Sequence, residues 1–242
     1  MLSIFIPVYN EESIVKTNLI KVYDSLKTLG YPFEIFMIDD GSTDQSNKSC
    51  LDLEKKYPEM NYLYYPNGPT RRENLADSFY RANYKVLIFM DLDLSTNLRY
   101  LKTMVQYILD GYDIAIGSRY LGIKPHRSTF RKSISQIYNL FMKIYFKSNI
   151  EDHQCGFKAF KKRIIFDLLN KAGYDRSKTR GWFWDAEILI RAQKKGYTVK
   201  EFPVSWKSGK KSSFTLKKEL KMLYFLIQYG PKIRRNEKLF KD

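Results

Sequence analysis

Cysteine is nearly missing from this sequence: Cys50 and Cys155 are the two in 242 residues. Their spacing makes neither a disulfide framework nor a zinc site, a usage expected of a reducing compartment. Histidine is as scarce, and neither His126 nor His153 has a partner at metal-ligand spacing. Long apolar runs are lacking too. The uncharged stretch Met222–Gly230 falls far short of the roughly 20 residues that cross a bilayer. No basic segment or small-residue cleavage site precedes Leu2–Ile6, so no signal peptide is read. The expectation is a soluble or peripheral protein. Acidic residues are outnumbered, 26 against 42 Lys and Arg, for a net charge of +16. That excess favours an anionic partner: nucleic acid, acidic lipid or a phosphorylated substrate. No nucleic-acid-binding module motif accompanies it, which argues against nucleic acid.

What is present is a globular composition, 44% hydrophobic and 16% aromatic, long enough for one large α/β domain or two. Residues 2–8 read as a strand. A helix follows, with Ile14, Leu19, Val22, Leu26 and Leu29 apolar and Gly30 as its stop. Phe33–Ile38 is the next strand, then a helix ending near Tyr57 and Pro58. Asn61–Tyr65 is a short strand, Leu75–Asn83 a helix, Lys85–Met90 a strand, Leu98–Leu109 a helix and Asp113–Ile116 a strand. This alternation predicts a mostly parallel central sheet flanked by helices. Ile134–Phe146 is helical and aromatic-rich, and Asp152–Lys158 reads as a loop or edge strand. Ile164–Ala172 and Asp185–Lys195 are helical, and Thr198–Ser205 is a last strand. Lys207–Lys211 is basic and flexible, and Leu216, Leu220, Leu223 and Ile227 line one face of a final helix.

The chemistry concentrates where strands end. The run Lys85–Met90 is apolar throughout, as expected of a strand buried on both faces, and it stops at Asp91-Leu92-Asp93. Ligands of open α/β sheets sit outside the carboxyl ends of such strands. Two carboxylates facing one pocket repel each other. A divalent cation on a diphosphate relieves that repulsion, and hard oxygen donors suit Mg2+ or Mn2+. Glu11 ends the first strand and Asp39-Asp40-Gly41-Ser42 the second, so the acidic groups converge on one edge. The plainer alternative is that these aspartates cap helices, Ser42 or Asp44 serving as the cap of the second helix.

In combination, Pro7-Val8-Tyr9-Asn10-Glu11, Asp39-Asp40-Gly41-Ser42-Thr43-Asp44, Asp91-Leu92-Asp93 and Gly117-Ser118-Arg119-Tyr120 resemble inverting glycosyltransferase family 2. Asp152-His153-Gln154-Cys155-Gly156-Phe157-Lys158, Trp182-Phe183-Trp184-Asp185-Ala186-Glu187 and Pro203-Val204-Ser205-Trp206 are similar to its dolichyl-phosphate glucosyltransferase and dolichol-phosphate mannose synthase branch. The resemblance covers residues 1 to about 215. It implies a GT-A, Rossmann-like fold that moves a hexose from UDP-glucose, UDP-N-acetylglucosamine or GDP-mannose to polyprenyl (dolichyl) phosphate. By the same resemblance, Pro7, Tyr9 and Glu11 hold the nucleoside, Asp39 bonds base or ribose, and Asp91 and Asp93 bind the metal. Arg119, Arg131 and Ser135 grip the acceptor phosphate, with His153 lining that side. Asp185 and Glu187 lie near the sugar or close the acceptor side, and Lys210 and Lys211 lie on a mobile loop over the donor.

The sequence departs from the family in the stretch Asn67-Gly68-Pro69-Thr70-Arg71-Arg72, at Ser95, at Trp184 and in the loop Ser208–Ser213. A lipid phosphate is already anionic and needs little general-base help, so orientation and charge supply most of the rate. A glycan or glycolipid hydroxyl acceptor would instead need a base such as Asp185. A third reading is a sugar-nucleotide-binding protein without catalysis. The expected layout is a catalytic domain over 1–215 and an amphipathic basic helix over 216–242, packed on the domain or at the membrane surface. The basic, aromatic stretch Arg119–Lys147 is a second membrane-facing candidate, or else an ordinary helix on the core. The chain is therefore expected on the cytoplasmic membrane face, and the sequence leaves room for a membrane-anchor subunit.

Overall fold

A computed structural model describes residues 1–68, 72–122, 129–173, 181, 183–207 and 216–237, with side chains for all of these but 129–134 and 216–224. Seven strands form one sheet: β1 (Leu2–Val8), β2 (Phe33–Asp39), β3 (Met60–Tyr64), β4 (Val86–Met90), β5 (Ile114–Ser118), β6 (Phe157–Lys161) and β7 (Val199–Pro203). Their order is β3-β2-β1-β4-β6-β5-β7. Every pairing is parallel except those of β6, which runs antiparallel between β4 and β5. Residues 152–156 form the expected loop, whereas Phe157 and Lys158 open an interior strand, which corrects the edge-strand alternative. Because β6 runs backwards, its first residue, Phe157, pairs with Met90, the last of β4. The loop before β6 is thereby delivered to the carboxyl edge of the parallel strands.

The described residues also form the helices α1 (Val15–Leu29), α2 (Ser46–Lys56), α3 (Arg72–Ser78), α4 (Leu101–Leu109), α5 (Thr129–Phe146), α6 (Lys162–Ala172), α7 (Phe183–Lys194) and α8 (Leu216–Arg234). The apolar periodicity explains their docking. Val15, Leu19, Val22 and Leu26 of α1 join Met104, Val105 and Ile108 of α4 on one sheet face. Leu168 of α6 and Trp184, Ile188 and Leu189 of α7 pack with Phe79 on the other. The remaining side of α7, Phe183, Ala186 and Ile190, meets Met142 and Phe146 of α5 and Phe225, Leu226, Tyr229 and Ile233 of α8. These form a third layer.

Boundaries differ from the sequence expectation at several helix starts. The segment after α3 tightens into a 3-10 turn over Phe79–Arg81, another precedes α4 over Leu98–Tyr100, and α5 begins at Thr129. No side chain caps α2 at its Gln45 N-cap, although Asp44 Oδ1 accepts from Ser46 N at 2.9 Å. His126 lies outside the described residues.

His153 is fully buried, so the expectation that it lines an open acceptor side is corrected. Its ring lies 2.9 Å from Asn139 Oδ1 and 2.8 Å from Ser148 Oγ. Burial pushes its pKa down to about 4, against the pull of Asp152. A depressed folded pKa means that the unfolded chain takes up the proton first as pH falls below about 6.5. The neutral ring's contribution should thus be whole above that value and progressively lost toward pH 4, by on the order of 3 kcal/mol. Urea midpoints measured across that window should fall less steeply for His153→Gln than for the parent.

Candidate active site

The loops leaving β1 and β2 are fastened to each other. Asn10 holds a φ of 52°, a conformation that Asn tolerates better than most residues. Its Oδ1 accepts from Thr43 N at 2.8 Å, and its own N–H donates to Ser42 Oγ at 3.1 Å. Glu11 N donates to Ser46 Oγ at 2.9 Å, and Glu12 N to Asp44 Oδ2 at 3.1 Å. Pro7, Tyr9 and Glu11 line this edge half-buried. Asp39 is fully buried; its carboxylate accepts from Ser42 N at 2.7 Å and Tyr62 Oη at 2.8 Å. Burial and the bond to Asp39 together push the Tyr62 phenol up. Asp40 accepts from Asn74 Nδ2 at 2.7 Å. A side chain on Gly68 would run into the Asp40 carbonyl at 1.3 Å. Glycine at 68 is what lets this strand end and the 65–68 turn touch.

Asp91 follows β4 directly, with 45% of its side chain open, while Asp93 is exposed. Asn18 Nδ2 ties the intervening Leu92 carbonyl to α1 at 3.0 Å. Lys207 N holds the Ser95 carbonyl at 2.9 Å, and Thr96 bridges Trp206. Within this turn Leu94 sits at φ 50°, a region costly for a bulky residue and frequent at functional sites. Asp93 accepts from Ser95 N at 2.9 Å and Ser95 Oγ at 2.5 Å. Met90, Asp91, Thr96, Gly156 and Phe157 line a shallow depression at this edge. Asp91 N donates to the Gly156 carbonyl at 3.1 Å, and a Cβ on Gly156 would lie 1.8 Å from Asp91 Oδ2. The Gln-Cys-Gly-Phe-Lys run thus owes its glycine to the carboxylate it abuts.

Behind Asp91 stand two cations. Arg72 Nε donates to Asp185 Oδ2 at 3.0 Å, and its Nη2 lies 3.9 Å from Asp91 Oδ1. The Arg72 guanidinium also lies over the Phe89 ring at 4.5 Å. Lys158 Nζ donates to Asp185 Oδ1 at 2.9 Å and to the Cys155 carbonyl. Burial disfavours ionised Asp185, yet Arg72 and Lys158 outweigh it and hold the carboxyl below its ordinary range. Asp91 goes the other way. Burial raises it to about 6, Asp93 and Asp185 add to the rise, and Arg72 opposes it. Neither Arg72 nor Lys158 was singled out as a site residue from the sequence. Their signal, a cation in an otherwise apolar or turn-rich segment, has meaning only once Asp185 is placed beside them.

Arg119 is 4% exposed. Its Nε and Nη2 form a fork on the two oxygens of Asp152, both at 2.7 Å, and its backbone N donates to Asp152 Oδ2 at 2.9 Å. Coulombic attraction outweighs burial and keeps Asp152 ionised, below the usual range. Ser135 Oγ accepts from Tyr120 Oη at 2.8 Å and donates to Gln154 Oε1 at 3.2 Å. Glu187 is fully buried and accepts from Arg191 Nε at 2.7 Å, away from the cleft on the α8 side of α7. The Arg131 side chain, Lys210 and Lys211 lie outside the described residues.

Among the described residues, no cluster of three or more His, Cys, Asp and Glu stands ready to hold a metal ion. The donors that fit a hard divalent cation are the Asp91 and Asp93 carboxylates, whose mutual repulsion such an ion relieves. Two protein ligands leave most of the coordination shell to phosphate oxygens and water, as magnesium sites do. Gly156→Ala should displace the Asp91 carboxylate, cost about 1–3 kcal/mol of stability and weaken Mn2+ binding to the isolated protein, read by paramagnetic relaxation. Removing one partner of the buried pair, as in Arg72→Met, should destabilise by about 3–5 kcal/mol, read as a drop in urea midpoint. Arg72→Lys should restore part of that loss.

Residues 3–169 match the family model described as glycosyl transferase family 2. Glycosyltransferase AglD of Haloferax volcanii is 31% identical over 208 residues, which cover 84% of this chain and 32% of that protein. Dolichyl-phosphate beta-glucosyltransferase of Saccharomyces cerevisiae is 28% identical over 226 residues, covering 85% of this chain and 66% of the yeast one. The chain thus spans a third to two thirds of these two relatives. Among solved structures, glucosyl-3-phosphoglycerate synthase from Mycobacterium tuberculosis with Mn2+, UDP-glucose and phosphoglyceric acid superposes with a TM-score of 0.69 at 14% identity, over 97% of this chain and 80% of that one. Mannosyltransferase PcManGT from Pyrobaculum calidifontis with GDP-mannose and Mn2+ gives 0.65 at 17%, over 99% and 65%. These two likenesses speak to the fold, a GT-A architecture. With more than half its length matched and its motif residues gathered on one sheet edge, the chain belongs to glycosyl transferase family 2.

Proposed function

We propose that this protein moves a hexose, with inversion, from a nucleotide-diphosphate sugar to a polyprenyl or dolichyl phosphate at a membrane surface. The observation that carries the reading is the half-open Asp91 beside exposed Asp93 at the carboxyl end of β4, backed by half-buried Arg72 and buried Lys158. The name of the Saccharomyces cerevisiae relative supports a dolichyl phosphate acceptor and that of the Haloferax volcanii relative supports sugar transfer, and the donors held by the structural neighbours support UDP-glucose or GDP-mannose. UDP-N-acetylglucosamine is a third donor to be tested.

In this reading Asp91 and Asp93 hold Mg2+ or Mn2+, which as a Lewis acid would stabilise the departing diphosphate. The fastened β1 and β2 loops form the nucleoside side. Pro7, Tyr9 and Glu11 border it, and Asp39, through Ser42 N and Tyr62, shapes the turn that faces the base or ribose. Asp185 acts as a positioning residue, because both its oxygens already accept from Arg72 and Lys158. That engagement speaks against Asp185 as the base a hydroxyl acceptor needs, and so for an acceptor that is already anionic. Arg119 steadies the 152–156 loop through Asp152. The acceptor phosphate then falls to Ser135, Arg131 and the 119–135 segment, and Lys210 and Lys211 remain candidates over the donor.

The test is transfer of radiolabel from UDP-glucose, GDP-mannose or UDP-N-acetylglucosamine to polyprenyl phosphate, scored in the lipid extract. Asp93→Ala should lower metal-dependent transfer by about 100-fold or more, the scale of losing one transition-state charge contact. Lys102→Ala, out on α4, should leave it unchanged. Label found in glycan alone, or donor binding without turnover, would overturn the assignment.

A further inference from the structure

We propose that Glu201, on the edge strand β7, is a positioning residue for the active-site edge: it holds the 151–156 loop where that loop sets Asp91. Its carboxylate accepts from two successive backbone donors of the loop, Glu151 N at 2.9 Å on Oε2 and Asp152 N at 2.8 Å on Oε1. The Ser118 side chain, at the end of β5, is a third partner. Glu201 is half-buried. Burial pushes its carboxyl up and nearby Asp152 adds to the rise, while the three hydrogen bonds oppose it. A charge so placed is costly, and a neutral side chain would be easier to keep there. What the carboxylate supplies is two acceptors on one rigid group, matched to two N–H groups that lie outside any helix or strand.

The loop passes this constraint on to the site. The Arg119 fork holds Asp152 from its other side, so residue 152 is clamped between β5 and β7. From there to Gly156 the backbone has little freedom. His153 N donates to Asn139 Oδ1 at 3.2 Å and Gln154 N to Asp152 Oδ1 at 3.2 Å. Cys155 is buried, and its carbonyl accepts from Lys158. A segment engaged at each residue moves as one piece. At its far end the Gly156 carbonyl accepts from Asp91 N at 3.1 Å, and a Cβ on that glycine would lie 1.8 Å from Asp91 Oδ2. A shift at 152 is thereby delivered to the carboxylate at the end of β4, although two strands stand between β4 and β7 in the sheet.

The amino ends of β5 and β7 offer a comparison. There Asp113 accepts from Thr198 N and Thr198 Oγ1, both at 3.1 Å, and from Lys161 Nζ at 3.2 Å. It ties the same two strands with the same chemistry at the opposite edge of the sheet. A carboxylate that only stabilised the strands would act alike at either end.

Amide hydrogen exchange of the full chain, resolved by residue with NMR, tests the proposal. In Glu201→Gln an NH2 replaces one oxygen, so one of the two loop N–H groups faces a donor. Asp91 N–H should then exchange about tenfold faster or more, the scale of one buried donor losing its acceptor, while β1 amides keep the parent's rates. Glu201→Asp, with both acceptors on a stem one methylene shorter, should fall between. Asp113→Asn should change exchange at Asp91 no more than at β1. Exchange at Asp91 that merely follows β1 in both Glu201 variants, or that rises as much in Asp113→Asn, overturns the proposal. A second arm rests on the reading of Asp91 and Asp93 as metal ligands. The parent should bind Mn2+, Glu201→Gln about tenfold more weakly and Asp113→Asn like the parent, read by paramagnetic relaxation. A parent that binds no Mn2+ overturns the metal reading, and exchange at Asp91 then decides the positioning role by itself. A parent that binds Mn2+ no better than Glu201→Gln does overturns the positioning role.

Discussion

Carboxylates gathered on one edge of a sheet cannot stay ionised in a partly buried setting unless cations stand beside them. In this protein the balance is struck at Asp185, whose two oxygens are divided between Arg72 and Lys158. Asp91, close to the same pair but without a full partner, is the group left with a raised affinity for a proton. One carboxylate is thus locked and its neighbour is left needing a positive charge. In the proposed reading, that difference is what would draw a cation and its diphosphate to Asp91 and Asp93.

The packing serves this arrangement. α7 has no solvent-facing side over most of its length: Trp184, Ile188 and Leu189 press on the sheet while Phe183, Ala186 and Ile190 press on α5 and α8. Asp185 lies in the first turn of that clamped helix, so its position is set by packing on two faces. Phe89, from the middle strand, supplies the ring beneath Arg72. The α5–α8 layer thereby supports the ion network from behind.

Much of the sheet was legible because β4 is a continuous apolar run and β1 and β2 are nearly so, broken by Ser3 and Glu34, and Asp39, Asp91 and Asp93 lie where such strands end and ligands collect. β6 was harder. Phe157-Lys158-Ala159-Phe160-Lys161 carries two lysines and reads as an edge, yet Lys158 is buried because an aspartate 27 positions away takes its charge. Arg72 is the same case at a separation of 113. Local patterns cannot register a partner that only the fold supplies. The Arg119 motif was found, but its charged partner, Asp152, comes from the loop before β6, so the motif alone could not show that this guanidinium is buried and engaged within the protein. α5 was placed one turn short because the polar Thr129–Ser133 segment hides its start.

The reversed strand has a consequence for how the chain is made. β4 and β5 lie on either side of β6, which is synthesised after both, so neither has its inner neighbour until residue 161 has left the ribosome. The first half, β1 to β3 with α1 and α2, is built from near-sequence pairings and can consolidate early, whereas the second half must wait for a long-range insertion. The emerging polypeptide consequently carries an unpaired edge on β4 for about seventy further codons and another on β5 for about forty, the interval in which a chaperone would be most useful to it.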